Sequence, residues 1–242
     1  MPPEPAFLVS CEHASNAIPE ASRSLFTENA EVLSTHHAHD LGALEAAREI
    51  AEILRATVHV APVSRLICDC NRSPGHPNLF CKAVSRLSSS EKRSILERYY
   101  WPYRHAVIDD IAHHLASGRT VVHLSVHSFT PVLNERTRTA EVGLLFDPSR
   151  EKERRAVGRL RRALIAQLPD LLVRNNYPYR GTSDGMTSAL RRIHSDTRYL
   201  GFELELNQRL WTEESPRWGQ IGKAFADALI GVFATGSADS TC

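Results

Sequence analysis

Two histidines, His13 and His127, each follow an apolar run and precede a turn, which is where a strand hands an imidazole to the rim of a sheet. A hydrolytic zinc centre takes three protein ligands of the His, Asp or Glu kind and keeps a fourth position open for water. His13 and His127 supply two, and either Asp40 at a helix start or Glu45 one turn later reaches the same rim as a third. Such chemistry also needs a general base that takes a proton from water and passes it to the leaving amine. Glu203 and Glu205, on one face of YLGFELEL, are the carboxylates placed to serve. Asp69, Asn71 and Arg72 offer a different function, because a guanidinium fork with a neighbouring amide holds a carboxylate. On pattern alone each group also has a plainer explanation: a histidine closing a strand, two solvated glutamates on an edge strand, and an Asp-Arg pair locking a turn.

Periodicity shows the elements that must position these groups. Val121 to Pro131, VVHLSVHSFTP, has the pattern of a buried central strand, with Val122, Leu124 and Val126 on one face and His123, Ser125 and His127 on the other. Ala6 to Cys11 is a second strand that ends in Glu12 and His13, and alternation points Glu12 away from His13. Val63 to Arg72 continues as a strand after Thr57 to Val60 and delivers Asp69, Asn71 and Arg72, with Cys68 and Cys70 as small core residues. Val142 to Phe146 and Tyr199 to Leu206 are further strands.

Helices are expected over residues 20–35, from Leu41 to Leu54 with Asp40 as N-cap, over Lys152 to Leu168, over Met186 to His194 and over Pro216 to Phe233. Ser88 and Glu91 form a capping box for another, which runs toward Ser117 with an interruption near Pro102. Asn175 to Gly185 is a long loop of the type that lines binding sites. Strands alternating with helices predict βαβ units, and so a single-domain three-layer α/β/α fold with a mostly parallel or mixed central sheet.

Composition narrows the function. A chain of 242 residues with 42% hydrophobic content can bury one large core, expected over residues 1–235, with 236–242 (GSADSTC) as a disordered tail. Lys and Arg total 29 against 28 Asp and Glu, a net charge of +1 that gives no reason to expect nucleic acid or an anionic membrane as partner. The arginines of the Lys152 to Leu168 helix are then a solvated face. Neither a signal peptide nor a spanning segment is present, which predicts a cytoplasmic protein, a monomer or small homo-oligomer. Five cysteines without a CxxC pair argue against both a disulfide framework and a cysteine-rich zinc site, whereas twelve histidines invite a metal.

Several stretches together resemble the N-formylglutamate amidohydrolase family: EHASNAIP, HDLGALE, SRLICDCNR, HSFTP with its arginine-containing loop and VGLLF, NNYPYRGTSDG and ELNQRLW, in that order. The resemblance covers about residues 6 to 212. It implies a zinc-exopeptidase-like α/β fold and hydrolysis of N-formyl-L-glutamate to formate and glutamate. Matched by position, the family's first histidine is His13, its Asp-x-Gly motif is Asp40 and Gly42, and its His-Ser-Phe-Thr-Pro motif supplies His127. The resemblance also makes Asp69, Asn71 and Arg72 a carboxylate clamp, Arg138 the loop arginine and Glu205 the general base. Where relatives often have Glu-Ile-Arg-Gln-Asp, this chain has Glu205-Leu206-Asn207-Gln208-Arg209, a change that bears on the substrate.

The sequence therefore predicts an amidohydrolase with one Zn2+ per chain, or another divalent ion, acting on a small anionic acyl-amino-acid. Its metal ligands would be His13, His127 and Asp40 or Glu45. Glu205, Glu203 and His194 would serve catalysis; Asp69, Asn71, Arg72, Arg138 and Ser128 would serve substrate binding. The alternatives are a zinc amidase or peptidase for another N-acylated amino acid or cell-wall fragment, and a ligand-binding relative without catalysis.

Overall fold

Alternation in VVHLSVHSF and YLGFELELN produces the two strands at the centre of the molecule, β3 (Val121–Phe129) and β8 (Tyr199–Asn207). The computed structural model describes residues 3–211 and 216–234. The remaining strands are β1 (Ala6–Cys11), β2 (Thr57–Val60), β4 (Val132–Leu133), β5 (Arg136–Thr137), β6 (Val142–Leu145) and β7 (Val173–Asn175). The helices are α1 (Ala43–Leu54), α2 (Lys82–Ser85), α3 (Ser89–Ile95), α4 (Trp101–Ala116), α5 (Glu151–Gln167), α6 (Met186–Arg191) and α7 (Pro216–Ala234). Residues 236–242, where a tail is expected, lie outside the described residues.

The main sheet has the order β2-β1-β3-β8-β6-β7, with β4 and β5 as a separate hairpin. It is mixed: β2, β1, β3 and β8 run parallel, and β6 is antiparallel to β8. Because β6 reverses, it starts at the same rim where β3 and β8 end. Residues 130–141 cross that rim as a short excursion carrying the β4/β5 hairpin.

The two faces of the sheet differ. Val122, Leu124, Val126, Leu204 and Leu206 pack with α1, α5 and α7 in one apolar core. Leu124, Leu204 and Leu206 are at most 1% exposed, and each such leucine contributes roughly 1.5–3 kcal/mol. The opposite face carries His123, Ser125 and His127, and beside it a second core forms from Ile67, Val107, Ile111 and Leu190. This is the three-layer α/β/α arrangement that the sequence predicts.

Three local expectations are corrected, and one plainer alternative is ruled out. Val63 to Arg72 is not a strand: its backbone closes into turns, with Ile67 donating to the Ser64 carbonyl and Arg72 to that of Asp69. Asp40 is not the N-cap of α1, which starts at Ala43 with Gly42 in the capping position. FELEL is no edge strand, since β8 lies between β3 and β6. Residues 20–34 form 3-10 rather than α-helical turns. The capping box is present, with Glu91 N–H donating to Ser88 Oγ (3.3 Å) and Ser88 N–H donating to Glu91 Oε2 (2.8 Å). Just before Pro102, residues Leu96–Tyr100 widen into a π-helical turn; a ring without an N–H cannot continue a regular turn.

Candidate active site

Asp40 enters the site because the chain turns sharply after it. Gly42 adopts φ +74°, and a Cβ there would lie 2.7 Å from the rings of Trp211 and Trp218. Only glycine fits both the left-handed backbone and the indoles. The turn frees the Asp40 carboxylate from capping, while its N–H donates to the His13 carbonyl (2.9 Å) and ties the two residues together.

Asp40 Oδ2 lies 3.2 Å from His13 Nδ1 and 2.9 Å from His127 Nδ1. The two imidazoles are 4.8 Å apart between centroids, and all three side chains are buried. The far nitrogen of each ring meets another carboxylate. His13 Nε2 is 2.7 Å from Asp69 Oδ1, and His127 Nε2 is 3.3 Å from Glu12 Oε2. Arg65 spans the two aspartates, 3.4 Å from Asp40 Oδ1 and 3.0 Å from Asp69 Oδ2.

This arrangement can hold a metal ion. One donor atom from each of His13, Asp40 and His127 lies within 4.8 Å of the others, the only such group among the described residues. Two imidazoles and a carboxylate suit a divalent transition metal, and backing carboxylates on both rings are the usual outer contacts of metal-bound histidines. Glu45, the alternative third ligand, is exposed on α1 and outside the group.

Glu205 sits beside His127 by the strand register, 4% exposed, and its Oε2 has no hydrogen-bond partner. Burial, reinforced by the charges of Asp40 and Glu203, pushes its pKa up to about 8 against the pull of His127 and Arg65. Asp40 goes the other way. Burial opposes its ionisation, but the charge of His13 and the hydrogen bonds of both histidines hold its carboxyl well below the usual range. For His127, burial disfavours the charge, yet Asp40 and Glu12 outweigh it and raise the pKa. Two kinds of carboxylate therefore meet here, one fixed as an anion and one able to take up a proton.

The other predicted residues divide. Asn71 Oδ1 accepts from the Met186 N–H (2.7 Å), and its amide lies 3.4 Å from His127 Nε2. Arg72 donates through NH1 to the Asp184 carbonyl (2.7 Å), while its buried Nε has no hydrogen-bond partner. Arg138 lies over the rings of Phe129 and Tyr179, with no ion-pair partner among the described residues. Ser128 Oγ donates to the Leu41 carbonyl (2.6 Å), which fastens the approach to α1. Glu203 accepts from the Thr187 hydroxyl. His194 is not brought to the site: its ring faces Tyr199, where β8 begins, and the length of β8 separates that edge from Glu205, roughly 20 Å at strand rise.

Asn207 and Arg209 also turn away from the cluster. Asn207 donates to the carbonyls of Arg138 and Ala140, and Arg209 lies 3.9 Å from Glu141. The sequence pattern did not single out Arg65, and it placed Ser125 on the face of His127 without giving it a role. Arg65 had one available signal, its spacing of four from Asp69.

The loop after β7 reaches the site across the polar face of the sheet. A Cβ on Gly143, the register partner of Glu205, would lie 1.7 Å from the Tyr177 carbonyl oxygen. The missing side chain lets that loop lie against Glu205, and Tyr177 then packs edge-on against Phe129.

Imidazoles and carboxylates gathered where parallel strands end, with a proton-accepting glutamate beside them, define an α/β enzyme equipped for hydrolysis. A family model for N-formylglutamate amidohydrolase matches residues 6–212. The chain belongs to that family. It is 33% identical to gene product Atu2144 from Agrobacterium tumefaciens, covering 94% of this chain and 92% of that one, with a TM-score of 0.77. The N-formylglutamate amidohydrolase from Ralstonia eutropha JMP134 has the same fold, at 17% identity and a TM-score of 0.69 over 97% of this chain and 95% of that one. No match is found among curated proteins.

Proposed function

We propose that the chain is a zinc-dependent amidohydrolase that cleaves N-formyl-L-glutamate to formate and glutamate. The observation that carries this is the pairing of the His13, Asp40 and His127 donors with an unpartnered carboxylate on the adjoining strand. His13, Asp40 and His127 would hold the ion. When bound, such an ion supplies Lewis acidity toward the amide carbonyl oxygen and positive charge that favours the ionised form of Glu205.

Glu205 Oε2 takes the proton of the water that attacks the formyl carbon. The same oxygen returns it to the amide nitrogen as the C–N bond breaks, releasing formate and the amino acid. Arg72 and Arg138 hold the carboxylates of glutamate: Arg72 Nε makes no hydrogen bond and only a long 3.8 Å approach to Asp69 Oδ2, and Arg138 has no ion-pair partner among the described residues.

The test is metal analysis of wild type beside His127→Ala, with N-formylglutamate hydrolysis assayed on the same samples. The expected result is about one zinc per chain with turnover, both lost in the variant. A wild type that takes up no zinc would remove the metal assignment. Zinc without turnover would move the substrate to another N-acylated amino acid.

A further inference from the structure

Glu12 is 1% exposed, and its carboxylate is surrounded by donors. Oε1 accepts from Ser10 Oγ (2.6 Å) and Tyr103 OH (3.0 Å); Oε2 accepts from Ser125 Oγ (2.6 Å) and lies 3.3 Å from His127 Nε2. Ser125 Oγ is itself 2.8 Å from that Nε2, so hydroxyl and carboxylate together close off the far side of the ring. The network continues inward, from Ser10 Oγ to His123 Nε2 (2.8 Å) and from His123 Nδ1 to Tyr199 OH (2.8 Å). Its inner end, Tyr199, is fully buried, so the network offers no proton path to solvent through that residue. What remains for it is orientation.

We infer that Glu12, with Ser125, is a positioning residue: it holds the proton of His127 on Nε2 and so keeps Nδ1 free and aimed at Asp40 for a divalent cation. This rests on the metal assignment proposed above. Asp40 faces Nδ1 at 2.9 Å, so a cation held between that nitrogen and the carboxylate leaves the ring proton to Nε2, where the buried Glu12 anion and the Ser125 hydroxyl accept it. The other imidazole has its counterpart in Asp69 on His13 Nε2. The two supports differ in origin. Asp69 comes from the turn beside Arg72, whereas Glu12 sits at the end of β1, next in sequence to His13. One short segment thus supplies a candidate ligand and the support of the opposite ligand.

The experiment is a Zn2+ titration of the full chain against a chromogenic chelator, for wild type, Glu12→Gln and Glu12→Asp, with KM and kcat for N-formylglutamate taken at saturating zinc. Outer-sphere partners of this kind change metal affinity about 10–100-fold. Glu12→Gln is expected to weaken zinc binding by about that factor, with KM unchanged once the metal is saturating. Glu12→Asp, which keeps the charge but withdraws it by one methylene, is expected to fall between the two and stands in if the Gln variant does not fold. Wild-type zinc affinity in a folded variant would overturn the role of Glu12 and leave the metal site intact. If the wild type itself binds no zinc, the metal assignment fails first.

Discussion

Two buried glutamates near β8 are handled in opposite ways. Glu153, fully buried on α5, meets Arg150 Nε (3.1 Å), Arg191 Nε (3.1 Å) and the N–H groups of Gly201 (3.1 Å) and Asp147 (3.0 Å). Every direction from its carboxylate ends on a donor, so it staples α5 and α6 to the sheet. Glu205 keeps an oxygen without a partner and a pKa near 8. Within this pair, the fully partnered carboxylate fastens elements together and the one with an unpartnered oxygen is left able to exchange a proton.

Glu205→Gln should lower kcat on N-formylglutamate about 10²–10⁴-fold, the usual contribution of a general base, while zinc content stays at the wild-type level. Turnover within a few fold of wild type would end its assignment as the base.

Stability separates the pair next. Glu153→Gln removes one partner of a buried ion cluster and should cost about 3–5 kcal/mol in denaturant unfolding. Glu205→Gln should do the reverse in metal-stripped protein. The folded-state pKa of about 8 lies above the unfolded value of 4.5, so the folded protein binds more protons in that window and loses stability as pH rises through it. Replacing the carboxyl with an amide should therefore stabilise by about 4 kcal/mol at pH 8 and by nothing below pH 4. Equal losses for the two variants would dissolve the contrast.

The smallest effect is expected at the surface. Glu151 and Arg155 on α5 form a short pair (2.6 Å) but are 56% and 76% exposed. Glu151→Gln should shift stability by less than about 1 kcal/mol, which would show that pairing matters only where water is excluded.

What the sequence made legible follows the same division. The strands β3 and β8 were readable because a polar side chain at every second position is a local pattern, and with them came His127 and Glu205. The Ile67 to Asn71 segment misleads because a buried turn and a buried strand share one apolar signature; Ile67, Cys68 and Cys70 are core residues in both cases. Alternation was expected to turn Glu12 away from His13, but both lie in the turn after β1 and both reach His127, a meeting set by strand pairing far along the chain. His194 could have been excluded, since a residue just before a strand parallel to β3 belongs to the edge opposite His127. Asp40 was separable from Glu45 only once the left-handed Gly42 showed where α1 begins.

The reversal of β6 carries a consequence for loop length. A parallel neighbour would need a crossover that carries the chain back to the opposite rim, whereas here residues 130–141 stay at the rim where β3 ends and β6 begins. Their ends are fixed in the sheet and their tip is exposed at Val132 and Leu133. Doubling the length of such a loop costs only about 0.6 kcal/mol. The tip can therefore lengthen or shorten at small cost while β3 and β8 below it keep the register that sets His127 beside Glu205.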